Sequence, residues 1–220
     1  MINKNVIAID GPVAAGKSII GQRVATRLGF RYFDTGVIYR SVAWVVRSRR
    51  IDELNESQIE LVASQMRLDL DTENTNVVIV NGVRVSDELK SQEVTRLSSI
   101  VAALSGVRNS MVSLQRGIID HGDVVMVGRD IGTVIAPDAE LKIYLTASVE
   151  SRATRRFNDL ISQGSQTSFD QVLDETISRD ERDSSRSDSP LVMATDAIEI
   201  DNSEMTIEQT VNAILEHYQI

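Results

Sequence analysis

The sequence predicts an α/β protein built on a parallel sheet, and three observations carry that expectation. Short β-branched runs alternate with segments of helical apolar spacing along most of the chain. The runs VIAI (6–9) and VVMV (124–127) are continuously apolar and LKIYL (141–145) is apolar but for Lys142, as strands covered on both faces are. Each of these runs leads into a loop rich in Gly or small polar residues rather than into a tight hairpin. Ligands of such sheets bind beyond the C-terminal ends of the strands, so the loops at 10–18, 34–36 and 128–132 are expected to meet there.

The elements follow in order. Val6–Ile9 is the first strand, and from Lys17 the positions Ile20, Val24, Ala25 and Leu28 recur at helical spacing. FRYFD (30–34) reads as a second short strand. Thr35-Gly36 opens a helix carrying Val37, Ile38, Val42, Val45 and Val46, with Trp44 expected in the core. Residues 55–66 read as a further helix. The stretch 67–85 differs: RLDLD, NVVIV and VRV alternate or run β-branched, and Asn81-Gly82 is a type I′ hairpin signal. It reads as a small antiparallel insert. Helices are expected at 87–104 and 107–120, then at 148–162 and 170–186, the last two joined by SQGSQTS. AIEI (197–200) is the last strand and 206–218 the last helix.

Bulk composition bounds the function. The chain has 220 residues, a formal net charge of −9, no Cys and two His. An acidic chain is a poor non-specific binder of nucleic acid. Disulfides and thiolate metal sites are excluded, and Glu and Asp are the main metal ligands available. His121 and His217 read as surface residues. No apolar run reaches the roughly 18 residues of a membrane span, and the N-terminus enters a core strand directly, so a cytoplasmic protein without a signal peptide is expected.

Between the first strand and helix lies Gly11-Pro12-Val13-Ala14-Ala15-Gly16-Lys17-Ser18, which fits the phosphate-binding loop pattern. Glycines let several backbone N–H groups point at one anion, and the following helix presents its positive end to the same anion. Lys17 adds a full charge near the β/γ-phosphates, and the Ser18 hydroxyl is a ligand for Mg²⁺. The Asp-x-x-Gly and Asn-Lys-x-Asp patterns of a GTPase switch are absent. Arginines are abundant instead: Arg40 in DTGVIYR (34–40), Arg129 in GRDIGTV (128–134), and Arg179, Arg182 and Arg186 at helical spacing in SRDERDSSR (178–186). A kinase that passes phosphate to phosphate needs such cations, because both of its substrates are anionic. On the residues alone, bland roles stay open. Arg179 and Asp183 fit a surface i,i+4 pair, Tyr39 a core aromatic, Arg40 a solvated residue and Asp34 a helix N-cap.

GPVAAGKS, DTGVIYR, QEVTRLSSIVAALSGVR (92–108), GRDIGTVIAPDA (128–139) and RDERDSSRSDSPL (179–191) together resemble the bacterial cytidylate (CMP) kinases of the nucleoside monophosphate kinase group. The order and spacing match over nearly the whole chain. That family often carries Ser or Ala at the position of Val13 and Gly at that of Ala14. The resemblance implies a P-loop kinase fold, with a five-stranded parallel sheet flanked by helices. It also implies a monophosphate-binding insert at about 36–105 and a mobile lid at about 155–190. It implies that Gly11 to Ser18 hold the phosphates of ATP with Mg²⁺. Thr35, Tyr39, Arg40 and Arg129 would surround the acceptor, while Ser99, Arg108 and Asp130 read cytosine. Arg179 and Asp183 would approach phosphate and ribose, and Arg186 would close from the lid. Lys17, Arg129, Arg179 and Arg186 are thereby the candidate catalytic residues. The expected partners are the nucleotides ATP and CMP or dCMP, with no nucleic acid, no membrane and a monomeric chain. Two other readings remain: a small kinase for UMP, AMP or an alcohol, and a nucleotide-binding regulator without turnover.

Overall fold

The computed structural model describes residues 3–70 and 78–218. The chain divides into two units, Met1–Asp34 with Arg116–Ile220, and Thr35–Gln115.

The first unit is built on β1 (Asn3–Asp10), β2 (Arg31–Asp34), β6 (Val124–Val127), β7 (Ala139–Thr146) and β8 (Ile198–Asp201), in the order β2-β6-β1-β7-β8. Every pairing is parallel. The continuous apolar runs are explained by burial on both faces: Val6 to Ile9 are fully buried, as are Val124 to Met126. Ile7, Ile9, Val125, Val127, Ile143 and Leu145 form one core cluster. The same cluster takes Ile20 and Val24 from α1 (Lys17–Leu28) and Val211 and Ile214 from α8 (Ile207–His217). The chain moves outward from β1 to β2, returns through β6, and crosses to β7 on the other side. β1 is therefore the point where the strand order reverses, and the loops after β1 and β6 lie at the mouth that this creates. The remaining helices of the unit are α6 (Val149–Ser162) and α7 (Phe169–Ser185), with Phe157 and Phe169 in edge-to-face contact at 6.1 Å.

The second unit contains α2 (Gly36–Ser48), α3 (Glu56–Gln65), α4 (Gln92–Val101) and the first part of α5 (Ser105–Ile119). It also holds a three-stranded antiparallel sheet of β3 (Leu68–Leu70), β4 (Val78–Val80) and β5 (Val83–Val85). Asn81 at φ 51° and Gly82 at φ 83° make the expected type I′ turn between β4 and β5. Residues 71–77 of the expected insert lie outside the described residues. Ile38, Val42, Val45 and Val46 are buried as the stripe requires, but Trp44 is only half-buried.

Two local expectations are corrected. The helix expected over 87–104 is a short 3₁₀ turn (Asp87–Lys90) followed by α4. Ser91 separates them with an extended backbone, ψ 147°, and its hydroxyl accepts from Val94 N as the cap of α4. The stretch after Asp130, read as a loop, winds into a π-helical turn over Ile131–Ile135.

Candidate active site

Gly11 turns the chain out of β1 at φ 149°, where a Cβ would fall 1.9 Å from the Leu145 carbonyl oxygen. No other residue fits there. Gly16 is the N-cap of α1 at φ 89°. The first turn of α1 has no side-chain cap and no acidic residue, which leaves its amide donors and positive end for an external anion. Ala14 sits in the left-handed region at φ 58°, a conformation that costs a non-glycine residue about 1 kcal/mol. Glycine adopts this conformation without that cost.

The loop is tied down carbonyl by carbonyl. Lys17 Nζ donates to Gly11 O (2.7 Å) and Pro12 O (2.6 Å). Arg152 Nη1 donates to Val13 O (3.1 Å), and Asn202 Nδ2 to Ala15 O (3.0 Å). Bonding these carbonyls to the rest of the protein fixes the orientation of their peptides, and with it the direction of the N–H groups. Asn202 is itself fixed by Arg155, through Nη1 to Oδ1 (2.9 Å) and Nη2 to its carbonyl (2.7 Å). Arg152 also donates to Asp180 of α7 (2.6 Å) and so links loop and helix. Burial, then the nearby charge of Arg129, pushes the Lys17 ammonium well below its ordinary pKa. A bound polyphosphate would reverse that shift by supplying opposite charge.

The loop after β6 is clamped onto the end of β1. Asp10 accepts from Ile131 N (2.9 Å) and Gly132 N (2.7 Å). Burial pushes its pKa up to about 6 despite those two bonds. The clamp fixes the turn whose N-cap is Asp130, itself 3% exposed. Beside it, Arg129 Nε donates to Asp183 Oδ2 (2.8 Å) and Nη1 to Gly128 O (3.1 Å). Arg186 reaches the same aspartate, with Nη2 3.5 Å from Oδ1 and Nε 3.2 Å from its carbonyl. Burial alone would raise the Asp183 pKa, but the charges of Arg129 and Arg186 outweigh it and hold it below the usual value. Asp183 is therefore no surface i,i+4 partner; it is a buried carboxylate on which two arginines converge. Arg179 is half-buried on the same helix, whereas Arg182 is exposed, and Arg186 lies just beyond the last helical residue of α7. The expected single helix face of three arginines is corrected to that extent. Ser18 Oγ donates to Asp34 Oδ2 (3.2 Å). The cap of α2 is Thr35, so Asp34 is not the N-cap.

In the second unit Thr35, Tyr39, Ser99 and Arg108 are all buried and Arg40 is half-buried. The Arg108 guanidinium lies 5.5 Å from the centre of the Tyr39 ring and donates to Ala102 O (3.3 Å). Tyr39 is thus a platform for a cation rather than simple core. His121 and His217 are exposed. Among the described residues no three His, Cys, Asp or Glu cluster as a metal site, and no single helix is long and apolar enough to cross a membrane.

The family model described as cytidylate kinase matches residues 7–220. The chain belongs to the cytidylate kinase family. Curated cytidylate kinases of Bacillus thuringiensis (strain Al Hakam) and Bacillus anthracis (strain CDC 684 / NRRL 3495) are each 42% identical to it over 210 residues, spanning 95% of this chain and 93% of the relative. A solved structure of an uncharacterised protein from Eubacterium ventriosum ATCC 27560 shares the fold with a TM-score of 0.51, at 10% identity and 97% coverage of both chains.

Sequence reading of this cytidylate kinase family member missed Asp10, Arg152, Arg155 and Asn202. Asp10 and Asn202 had a usable signal, since each sits at or just past the C-terminal end of a sheet strand. Arg152 and Arg155 had none, because the carbonyl of Val13 is 139 residues from its donor.

Proposed function

We propose that the chain transfers the γ-phosphoryl group of ATP to CMP or dCMP, giving ADP and CDP or dCDP. Beside family membership, the observation that carries this reading is the buried Asp130 on a turn locked by Asp10. Cytosine presents an N4 amino donor that a carboxylate accepts, whereas uracil presents an oxygen there. Ser99 and Arg108 of the second unit supply donors for O2 and N3. Thr35, Tyr39, Arg40 and Arg129 take the acceptor nucleotide and its phosphate, and Arg179 and Asp183 its phosphate and ribose. The acceptor-binding part is about 36–105 and the lid about 155–190.

The loop Gly11 to Ser18 holds the donor phosphates through its N–H groups, and Lys17 follows charge across the β/γ bridge. The Ser18 hydroxyl would hold the Mg²⁺ of Mg·ATP, which would supply neutralisation of phosphate charge. The acceptor phosphate has a second pKa near ~6 and is largely dianionic at neutral pH. It is already a nucleophile, so no general base is required. The chain's work is alignment of two anions and stabilisation of the transferring group by Lys17, Arg129, Arg179 and Arg186. Coupled measurement of ADP release with CMP, dCMP, UMP, AMP and GMP tests the reading. Turnover with CMP and dCMP well above the others is expected. Equal turnover with UMP or AMP, or none with any acceptor, would overturn it.

A further inference from the structure

The corner between α4 and α5 carries two of the residues assigned above to the acceptor base. Ser99 lies in the last turn of α4 and Arg108 in the first turn of α5, and the axes of the two helices bend by 99°. After so sharp a bend, the start of α5 is not fixed by the helix before it. Arg108 N gives the first bond of the α5 ladder, to Leu104 O (3.1 Å). Leu104 therefore stands at the N-cap, and a leucine side chain has no oxygen to offer the amides of the first turn.

The oxygen comes from another helix. Glu60 of α3, 46 residues earlier, accepts from Gly106 N at 2.8 Å through Oε1. A carboxylate there also meets the positive end of the helix dipole. Gly106 is the residue that admits it. A Cβ at position 106 would fall 2.3 Å from Glu60 Cδ and 2.4 Å from Oε1, within the volume the carboxylate fills. Two residues on, the Arg108 guanidinium donates back to Ala102 O (3.3 Å) and lies over the Tyr39 ring. The amide that Glu60 holds and the side chain assigned to the base share one helical turn.

We propose that Glu60 is a positioning residue for the acceptor base: it caps α5 from α3 and thereby sets where the Arg108 guanidinium stands. The inference rests on the reading of Arg108 as a donor to cytosine. Cytosine N3 accepts a hydrogen bond, whereas uracil N3 carries a hydrogen, so a donor discriminates between them only while it is held in place. Arg108 is buried and close-packed, so a shift in the first turn of α5 is passed on to its guanidinium.

The test compares wild type with Glu60→Ala, Glu60→Gln, Gly106→Ala and Arg108→Ala. It reads CMP binding by calorimetry and kcat and KM for CMP, UMP and ATP, with melting curves alongside. Glu60→Ala should weaken CMP binding roughly 10-fold, within the ~10²-fold that a misplacement of about 1 Å can cost. It should also narrow the CMP/UMP ratio of kcat/KM and leave KM for ATP unchanged. Glu60→Gln keeps an acceptor oxygen for Gly106 N and should recover most of the loss. Gly106→Ala separates positioning from stability. Alanine favours a helix over glycine, yet its methyl displaces the carboxylate. That variant should lose CMP affinity with an unchanged or raised melting temperature, and adding Glu60→Ala to it should cost little more. Wild-type CMP affinity and CMP/UMP ratio in folded Glu60→Ala or Gly106→Ala would overturn the assignment, and so would a lower melting temperature as the only change. If Glu60→Ala fails to fold, Gly106→Ala carries the test on the same criterion. CMP binding unmoved by Arg108→Ala would instead remove the reading of Arg108 itself.

Discussion

Asp10 sets a carboxylate inside the protein, between the phosphate loop and the turn that carries Asp130, and burial keeps its pKa at about 6 instead of 3.8. The folded chain therefore holds this proton over a range in which the unfolded chain has released it. The stability it contributes is fully present below pH 3.8 and is lost as pH rises through about 6. A shift of about two units corresponds to about 3 kcal/mol. Asp10→Asn removes the titration. Urea unfolding of both proteins from about pH 4.5 to about pH 7.5 should show the stability difference moving toward the variant by about 2 kcal/mol as pH rises, the rest having been lost below that range. A pH-independent difference would mean that Asp10 is not the buried titrating group described. Activity should move the other way. An amide cannot offer two acceptor oxygens to Ile131 N and Gly132 N, so the turn loosens and kcat falls even as the fold gains. A buried charge kept at a cost to stability, and aimed at a functional loop, is the pattern expected where positioning outweighs stability.

Elements were legible where capping chemistry spells out their ends. Ser168 and Gln171 form a capping box at α7, and Thr206 and Gln209 form one at α8, so the reading of helices there needed only small adjustment. The segment 87–104 misled because its apolar spacing continues across Ser91, whose capping role outweighs helical pattern. The π-helical turn at Ile131–Ile135 has no sequence signature of its own; it is held from outside by Asp10. At the C-terminal end of α7, Arg129 and Arg186 share Asp183. The Arg186 side chain is 4% exposed. If it stabilises the transferring phosphoryl, Arg186→Ala lowers kcat and kcat/KM together, by roughly 10³ if several arginines share the load. Arg186→Lys should recover little, since a lysine keeps the charge and loses the planar fork. Steady-state kinetics beside melting curves decide the matter. A lowered melting temperature with unchanged kcat would reduce Arg186 to a structural partner of Asp183.

At the scale of the whole molecule, the alternation of strands and helices and the two-residue hairpin signal were enough to read the parallel sheet and the antiparallel insert. The phosphate loop was legible because its chemistry is local: glycines, lysine and serine within eight residues. The ties that hold its carbonyls were not, since Arg152 and Asn202 reach it only through tertiary folding. Likewise Asp34 looked like a helix cap in sequence and turned out to accept a hydrogen bond from Ser18, sixteen residues earlier in the chain. The central claim is that Asp130, on its clamped turn, makes this a kinase for cytosine nucleotides. It is tested most directly by the ratio of kcat/KM for CMP to that for UMP, in wild type and in Asp130→Asn. A discriminating contact of this kind is worth about 1–3 kcal/mol, or about 5–150-fold. The account predicts a strong preference for CMP that shrinks by that factor in the variant, because an amide can donate to the uracil oxygen as well as accept from the cytosine amino group. Equal use of CMP and UMP by the wild type, or a ratio unmoved in a folded Asp130→Asn, would contradict it.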